Sequence, residues 1–167
     1  MENSFELSVI NKNKQNEITK ILECNKCLHK YGLQLSEKDV QGIKIKRLES
    51  LKTTGRLEFG EWIIERLIKE FCDSPYITQE NFLDTIYELI DIFYYYKNET
   101  KDMVSDDELI KFMKIYYDNL AQGDLEYLAG TIMERMKSNA LNNKPMDFNI
   151  KERRENNELW NREKGQN

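Results

Sequence analysis

An all-α fold, with about six amphipathic helices in a compact bundle-like or orthogonal array, is predicted by three features of this 167-residue chain. Apolar residues recur every three or four positions, the spacing that puts them on one face of a helix, and no alternating run of strand length occurs. Helix-starting residues (Ser36, Thr78, Ser105, Asp124) precede these periodic segments, and Gly32, Gly55 and Gly123 or a proline follow them. The connections are short, roughly three to nine residues, as expected of successive helices that pack as neighbours.

The first helix is expected over about Gln15–Tyr31, with Ile18, Ile21, Leu22, Leu28 and His29 on one face and Gly32 as its left-handed stop. The second opens at Ser36, where Asp39 stands in for the longer glutamate of a capping box, and its stripe is Val40, Ile43, Leu48 and Leu51 up to Gly55. The third covers about Gly60–Cys72, with Ile64, Leu67, Ile68 and Phe71 in one arc. Pro75 ends it, because proline disfavours helical geometry in the residue before it. The fourth starts at Thr78 and buries Phe82, Ile86, Leu89, Ile90 and Phe93. Ser105 and Glu108 form a full capping box for the fifth, which carries Leu109, Met113, Tyr116 and Leu120. The sixth follows Asp124 with Leu125, Leu128, Ala129, Ile132 and Met136 in register.

A polar lead-in (1–14), one helical domain (15–139) and a flexible charged tail (140–167), with a short helix around Trp160, complete the organisation. Composition narrows the function. A net charge of −5 argues against nucleic acid and against anionic membranes, both of which select for basic surfaces. No apolar stretch approaches the length of a membrane span, and no secretory h-region stands at the N-terminus. Three cysteines in such a chain suit a reducing cytoplasm and free thiols.

Four constellations bear on chemistry. Cys24-Asn-Lys-Cys27, with His29 nearby and Cys72 further on, has the residue types of a zinc site. A helix, however, points His29 roughly 140–160° away from both cysteines. Packed, inert thiols and a core histidine are the expectation. Glu58-x-x-Glu61 and Glu88-x-x-Asp91, separated by residues 62–87, look like the E-x-x-E and E-x-x-D pairs of all-α nucleoside triphosphate pyrophosphohydrolases, which hold Mg²⁺. Thirty acidic residues make such pairs common by chance, and their helical phase directs these four outward, so solvated faces are expected instead. A recognition helix built on Glu61–Cys72 would be net negative, the wrong sign for a DNA groove. Finally, Tyr94-Tyr-Tyr-Lys97 sweeps about 200° of helix surface, which leaves Tyr95 exposed. Exposed tyrosines favour interfaces; a bland surface tyrosine between core-flanking neighbours is the equal alternative.

Thr54-Gly-Arg-Leu-Glu-Phe-Gly60, Phe71-Cys-Asp-Ser-Pro-Tyr-Ile77 with Glu80-Asn81, and Phe93-Tyr-Tyr-Tyr-Lys-Asn-Glu99 followed by Ser105-Asp-Asp-Glu-Leu-Ile110 are similar, as a set, to a family of small proteins from anaerobic Gram-positive bacteria known only as a domain of unknown function. The resemblance covers about Ile18–Ala129 and implies a bacterial cytoplasmic setting, with no activity attached. The resulting expectation is a protein-interaction or regulatory module without cofactor or metal. It would meet an unknown protein partner, or a second copy of itself, through Tyr94, Tyr95 and Lys97 and through Asp73 and Tyr76 of the Asp-Ser-Pro turn. Hydrolysis by Glu58, Glu61, Glu88 and Asp91 is the alternative.

Overall fold

Caps and glycines set the helix ends in the computed structural model, which describes residues 15–58 and 62–150. Six helical segments account for the described fold, and no strand occurs among the described residues. Contacts divide the chain into two compact units, Met1–Tyr95 and Tyr96–Asn167. No described helix is long and apolar enough to cross a membrane.

In the first unit, α1 (residues 15–23) breaks at Cys24 and continues as α2 (Asn25–Leu28) and a tight 3₁₀ turn, His29–Tyr31, that stops at Gly32 with φ 71°. The tighter winding moves His29 off the apolar face, so the expected core histidine is exposed. Two side-chain amides then hold the extended link to the next helix. Asn25 donates to and accepts from the backbone of Leu35, at 2.9 and 2.8 Å. Gln79 does the same to Gln34, at 3.1 and 2.8 Å. Each satisfies backbone groups that have no ladder partner.

Helix α3 (Glu37–Thr54) starts on a complete capping box: Ser36 accepts from the Asp39 amide at 3.1 Å, and Asp39 accepts from the Ser36 amide at 2.9 Å. The shorter aspartate suffices. Its buried positions are Val40, Ile43, Arg47, Ser50 and Leu51, whereas Leu48, expected in this stripe, is 60% exposed. Helical phase explains the difference, since 40, 43, 47 and 51 follow the 3.6 period and 48 falls a quarter turn or more outside it. Helix α4 (Trp62–Phe71) buries Ile63, Ile64, Leu67, Ile68 and Phe71.

The next helix, α5 (Phe82–Glu99), begins later than Thr78. Asn81 accepts from the Thr78 amide at 2.9 Å and donates to the Tyr76 carbonyl at 3.0 Å, which holds residues 76–81 as a turn. Phe82, Ile86, Leu89, Ile90 and Phe93 are buried as expected. Against α5, α3 presents Gly42: a Cβ there would lie 2.2 Å from the Tyr87 hydroxyl.

The second unit continues α5 from Tyr96 and adds α6 (Asp106–Asn119), α7 (Leu125–Tyr127), a π-helical stretch (Leu128–Ile132) and α8 (Met133–Leu141). Ser105 caps α6 by accepting from the Glu108 amide at 3.3 Å, and Asp124 caps α7 by accepting from Tyr127 at 2.9 Å. The unit's core is Leu109, Phe112, Met113, Tyr116, Leu128, Ile132, Met133 and Met136 with their neighbours. In the π stretch the Met133 amide reaches back to Leu128, and the widened turn offers the Ala129 carbonyl to the Tyr96 hydroxyl. The same hydroxyl lies 2.8 Å from the Glu134 carboxylate.

Residues 140–150, assigned by sequence to the tail, lie partly against α6. Tyr116 donates to the Asp147 carbonyl at 2.8 Å, and Phe148 packs on Phe112 with Lys111 over its ring. The lead-in (1–14), the remainder of the tail and the Trp160 helix lie outside the described residues.

Two predictions follow from these contacts. Alanine at Gly42 should forfeit part or all of the helix-propensity gain of about 1 kcal/mol because the Tyr87 hydroxyl must move aside, whereas in a Tyr87→Phe background the gain returns. Additive effects of the two changes in urea unfolding would contradict this contact. Separately, Lys137 and then Tyr96 hold the Glu134 carboxyl below the usual glutamate range. A lowered folded-state value means that the stabilisation is present above the ordinary range and is lost as pH falls through the lowered one. Glu134→Gln should therefore destabilise at neutral pH and converge with wild type as the pH falls through the lowered Glu134 range, as read by urea unfolding across acidic pH.

Candidate functional site

One turn of α3 carries the polar residues that shape the first unit. Arg47 points inward, where its Nη2 donates to the Glu58 carbonyl oxygen at 3.4 Å and stands 4.0 Å from the Glu58 carboxylate. Tyr94, 1% exposed on α5, lies beside this pair. The Tyr94 hydroxyl makes no well-formed hydrogen bond among the described residues, but it feels both Glu58 and Arg47. Burial first, and then the Glu58 carboxylate, raise its pKa above the usual tyrosine range, with Arg47 opposing.

Three residues further along α3, Ser50 donates to Asp91 of α5, and Lys46 pairs with the same carboxylate at 2.6 Å. This pair floors a cleft of about 310 Å³, lined by Lys46, Glu49, Ser50, Thr53, Thr54, Asp91 and Tyr95. The hydroxyl protons of Ser50, Thr53 and Thr54 are already committed. Thr53 donates to the Glu49 carbonyl at 2.9 Å and Thr54 to the Ser50 carbonyl at 2.8 Å. With Glu49 and Asp91, these hydroxyls give the lining more acceptor than donor groups. Tyr95, 47% exposed, supplies an aromatic wall.

The structure sorts the sequence candidates. Tyr95 is exposed at the cleft, and Asp73 and Tyr76 are exposed in the α4–α5 turn but do not line it. Tyr94 and Lys97, expected at a contact surface, are buried instead. Lys97 belongs to the second unit, where its ammonium donates to the Val104 carbonyl at 2.5 Å and pairs with Asp106 at 2.8 Å. Its long stem lets the charge reach the loop that starts α6 while the aliphatic part is buried.

Of the four carboxylates in the hydrolase alternative, Glu58 is half-buried against Arg47, Asp91 is held by Lys46 and Ser50, Glu88 is exposed, and Glu61 lies outside the described residues. No three Asp, Glu, His or Cys side chains among the described residues gather closely enough to hold a metal ion. Ser50 and Asp91 share the cleft with the Lys46 ammonium, and the chain's one histidine, His29, does not line it. Sequence reading missed Arg47, Ser50 and Lys46. Phase was the available signal, since Arg47 and Ser50 fall at positions the 3.6 period assigns to the core.

Fold and cleft together define a small all-α protein with a hydrogen-bonding, aromatic-walled groove. The chain belongs to DUF6323, a family of unknown function, whose match covers residues 20–145 and so contains α3, α5 and every residue of the cleft. No curated protein matches the chain, and no solved structure does.

Replacing Lys97 tests its structural assignment. Lys97→Met keeps the buried stem and removes two charge-assisted bonds, so a loss of about 2 kcal/mol in chemical unfolding is expected. A neutral substitution would return Lys97 to the surface.

Proposed function

We propose that this protein is a binding module without catalytic activity of its own, whose α3–α5 cleft takes a basic side chain, arginine or lysine, from a partner polypeptide. The observation that carries the reading is the exposed ring of Tyr95 beside an acceptor-rich cleft with two carboxylates, Glu49 and Asp91, against one ammonium, Lys46. A guanidinium or ammonium supplies the donors that are outnumbered in such a lining, and its charge is attracted by the face of a tyrosine ring. A neutral or acidic occupant would meet a surplus of acceptors. The chain's net charge of −5 favours approach of a basic partner over long distances. The reading places the protein in a bacterial cytoplasm, the setting implied by the sequence resemblance and suited to its three free thiols.

Titrating ¹⁵N-labelled protein with short peptides tests this reading. An arginine-containing peptide should shift the amides around Lys46, Ser50 and Tyr95, and its glutamate counterpart should not. Tyr95→Ala should weaken binding roughly 2- to 30-fold, the range expected when a cation–π contact of about 0.5–2 kcal/mol is lost. Millimolar arginine peptide that leaves these amides unmoved, or equal binding of the acidic peptide, would count against the module.

A further inference from the structure

The three thiols were expected to be inert, and the sequence suggested Cys24 and Cys27 as neighbours. The fold pairs them differently. Cys27 of α2 and Cys72, the residue after α4, bring their sulfurs to 3.8 Å, although 45 positions separate them in the chain. Cys24 points into the core at 2% exposure, and Cys72 is 3% exposed, but Cys27 is only partly covered. Cys72 also lies 3.2 Å from the Lys69 carbonyl, an acceptor for its thiol proton, which leaves sulfur lone pairs available on the side of Cys27.

We propose that Cys27 and Cys72 form a reversible dithiol–disulfide site that is oxidised by a hydroperoxide. Cys27 reacts first because it is the one of the three cysteines that is not buried. Burial pushes the Cys24 thiol up to about 11; burial, together with the neighbouring Cys27, pushes Cys72 up to about 12, so these two hold their protons and are poor first nucleophiles. The Cys27 sulfur attacks a peroxide oxygen, the O–O bond breaks, and the leaving oxygen carries off the thiol proton as water or an alcohol. This leaves a sulfenic acid on Cys27. The Cys72 sulfur then attacks the Cys27 sulfur, the S–O bond breaks, and the departing hydroxide takes the Cys72 proton and leaves as water. Two thiols are oxidised and one peroxide is reduced. Closure from 3.8 Å to a disulfide bond length of about 2.05 Å asks for less than 2 Å of movement. The bond joins α2 to the start of the Cys72–Tyr76 turn, so oxidation ties that exposed turn to the first helical segment.

Exposing the native full-length chain to stoichiometric hydrogen peroxide, followed by intact-mass measurement and peptide mapping, tests the site. The expected product has lost two hydrogens, carries a Cys27–Cys72 cross-link and reverts with a thiol reductant. Its melting temperature should rise by roughly 5–15 °C. Cys24→Ser should retain the cross-link and Cys72→Ser should lose it; should Cys72→Ser fail to fold, the map of the wild-type chain decides. Urea-unfolded chain is the geometric control, because there the short Cys24–Cys27 loop closes most readily. Native chain that yields mainly Cys24–Cys27, or that adds oxygen to Cys27 without a cross-link, overturns the proposal.

Discussion

Two polar side chains on the inner face of α3, Arg47 and Ser50, constrain the first unit more than its aliphatic contacts do. A buried guanidinium is costly unless its charge and donors are met, whereas a leucine row tolerates many arrangements of similar energy. Arg47 therefore ties down the chain after α3 by drawing in both the carbonyl and the carboxylate of Glu58. Ser50 and Lys46 fix α5 against α3 through a single carboxylate, Asp91. Gly42 allows the approach on the same pair of helices, where any side chain would strike Tyr87. The cleft is a consequence: its floor is the ion pair that aligns the two helices, and its walls are what remains exposed on either side.

The second unit solves an equivalent problem with tyrosines and one lysine. Tyr96, Lys97 and Thr100 lie within five residues at the end of α5, and each satisfies a backbone carbonyl. The Tyr96 hydroxyl meets the carbonyl made available where the last helix widens, and the Lys97 ammonium closes the loop into α6. Polar atoms in this region secure irregular backbone, which has to find partners within the fold when water is excluded. The Tyr-Tyr-Tyr-Lys run thus divides by direction, with Tyr94, Tyr96 and Lys97 turned inward and Tyr95 outward.

The cysteines show how a helix-level expectation and a tertiary contact can diverge. Packing alone accounts for Cys24, which behaves as a small apolar residue in the core. Cys27 and Cys72 share a contact that depends on the return of α4 toward α2, a distance no spacing rule expresses. The hydrolase pattern met the opposite outcome. Its i, i+3 acidic pairs are local and easily seen, yet Glu58 and Asp91 face different cations and Glu88 faces solvent.

Helix class, order and most boundaries were legible in the sequence because they rest on local physics: a 3.6-residue apolar period, Ser36, Ser105 and Asp124 as caps, and Gly32, Gly55 and Gly123 where φ is positive. The outward direction of Tyr95 followed from the same period. Misplacements arose where helical phase, local winding or a neighbour distant in sequence departed from the plain apolar pattern. Leu48 is apolar, although the phase belongs to Arg47; His29 leaves the apolar face where the helix tightens; and Asp147 and Phe148, at the start of the expected tail, meet Tyr116 and Phe112. Composition and spacing thus determined a helical chain with an acidic surface. Which polar side chains are buried, which sulfurs touch and where a cleft opens were decided only by tertiary structure, because each depends on the distance between residues that the chain itself keeps far apart.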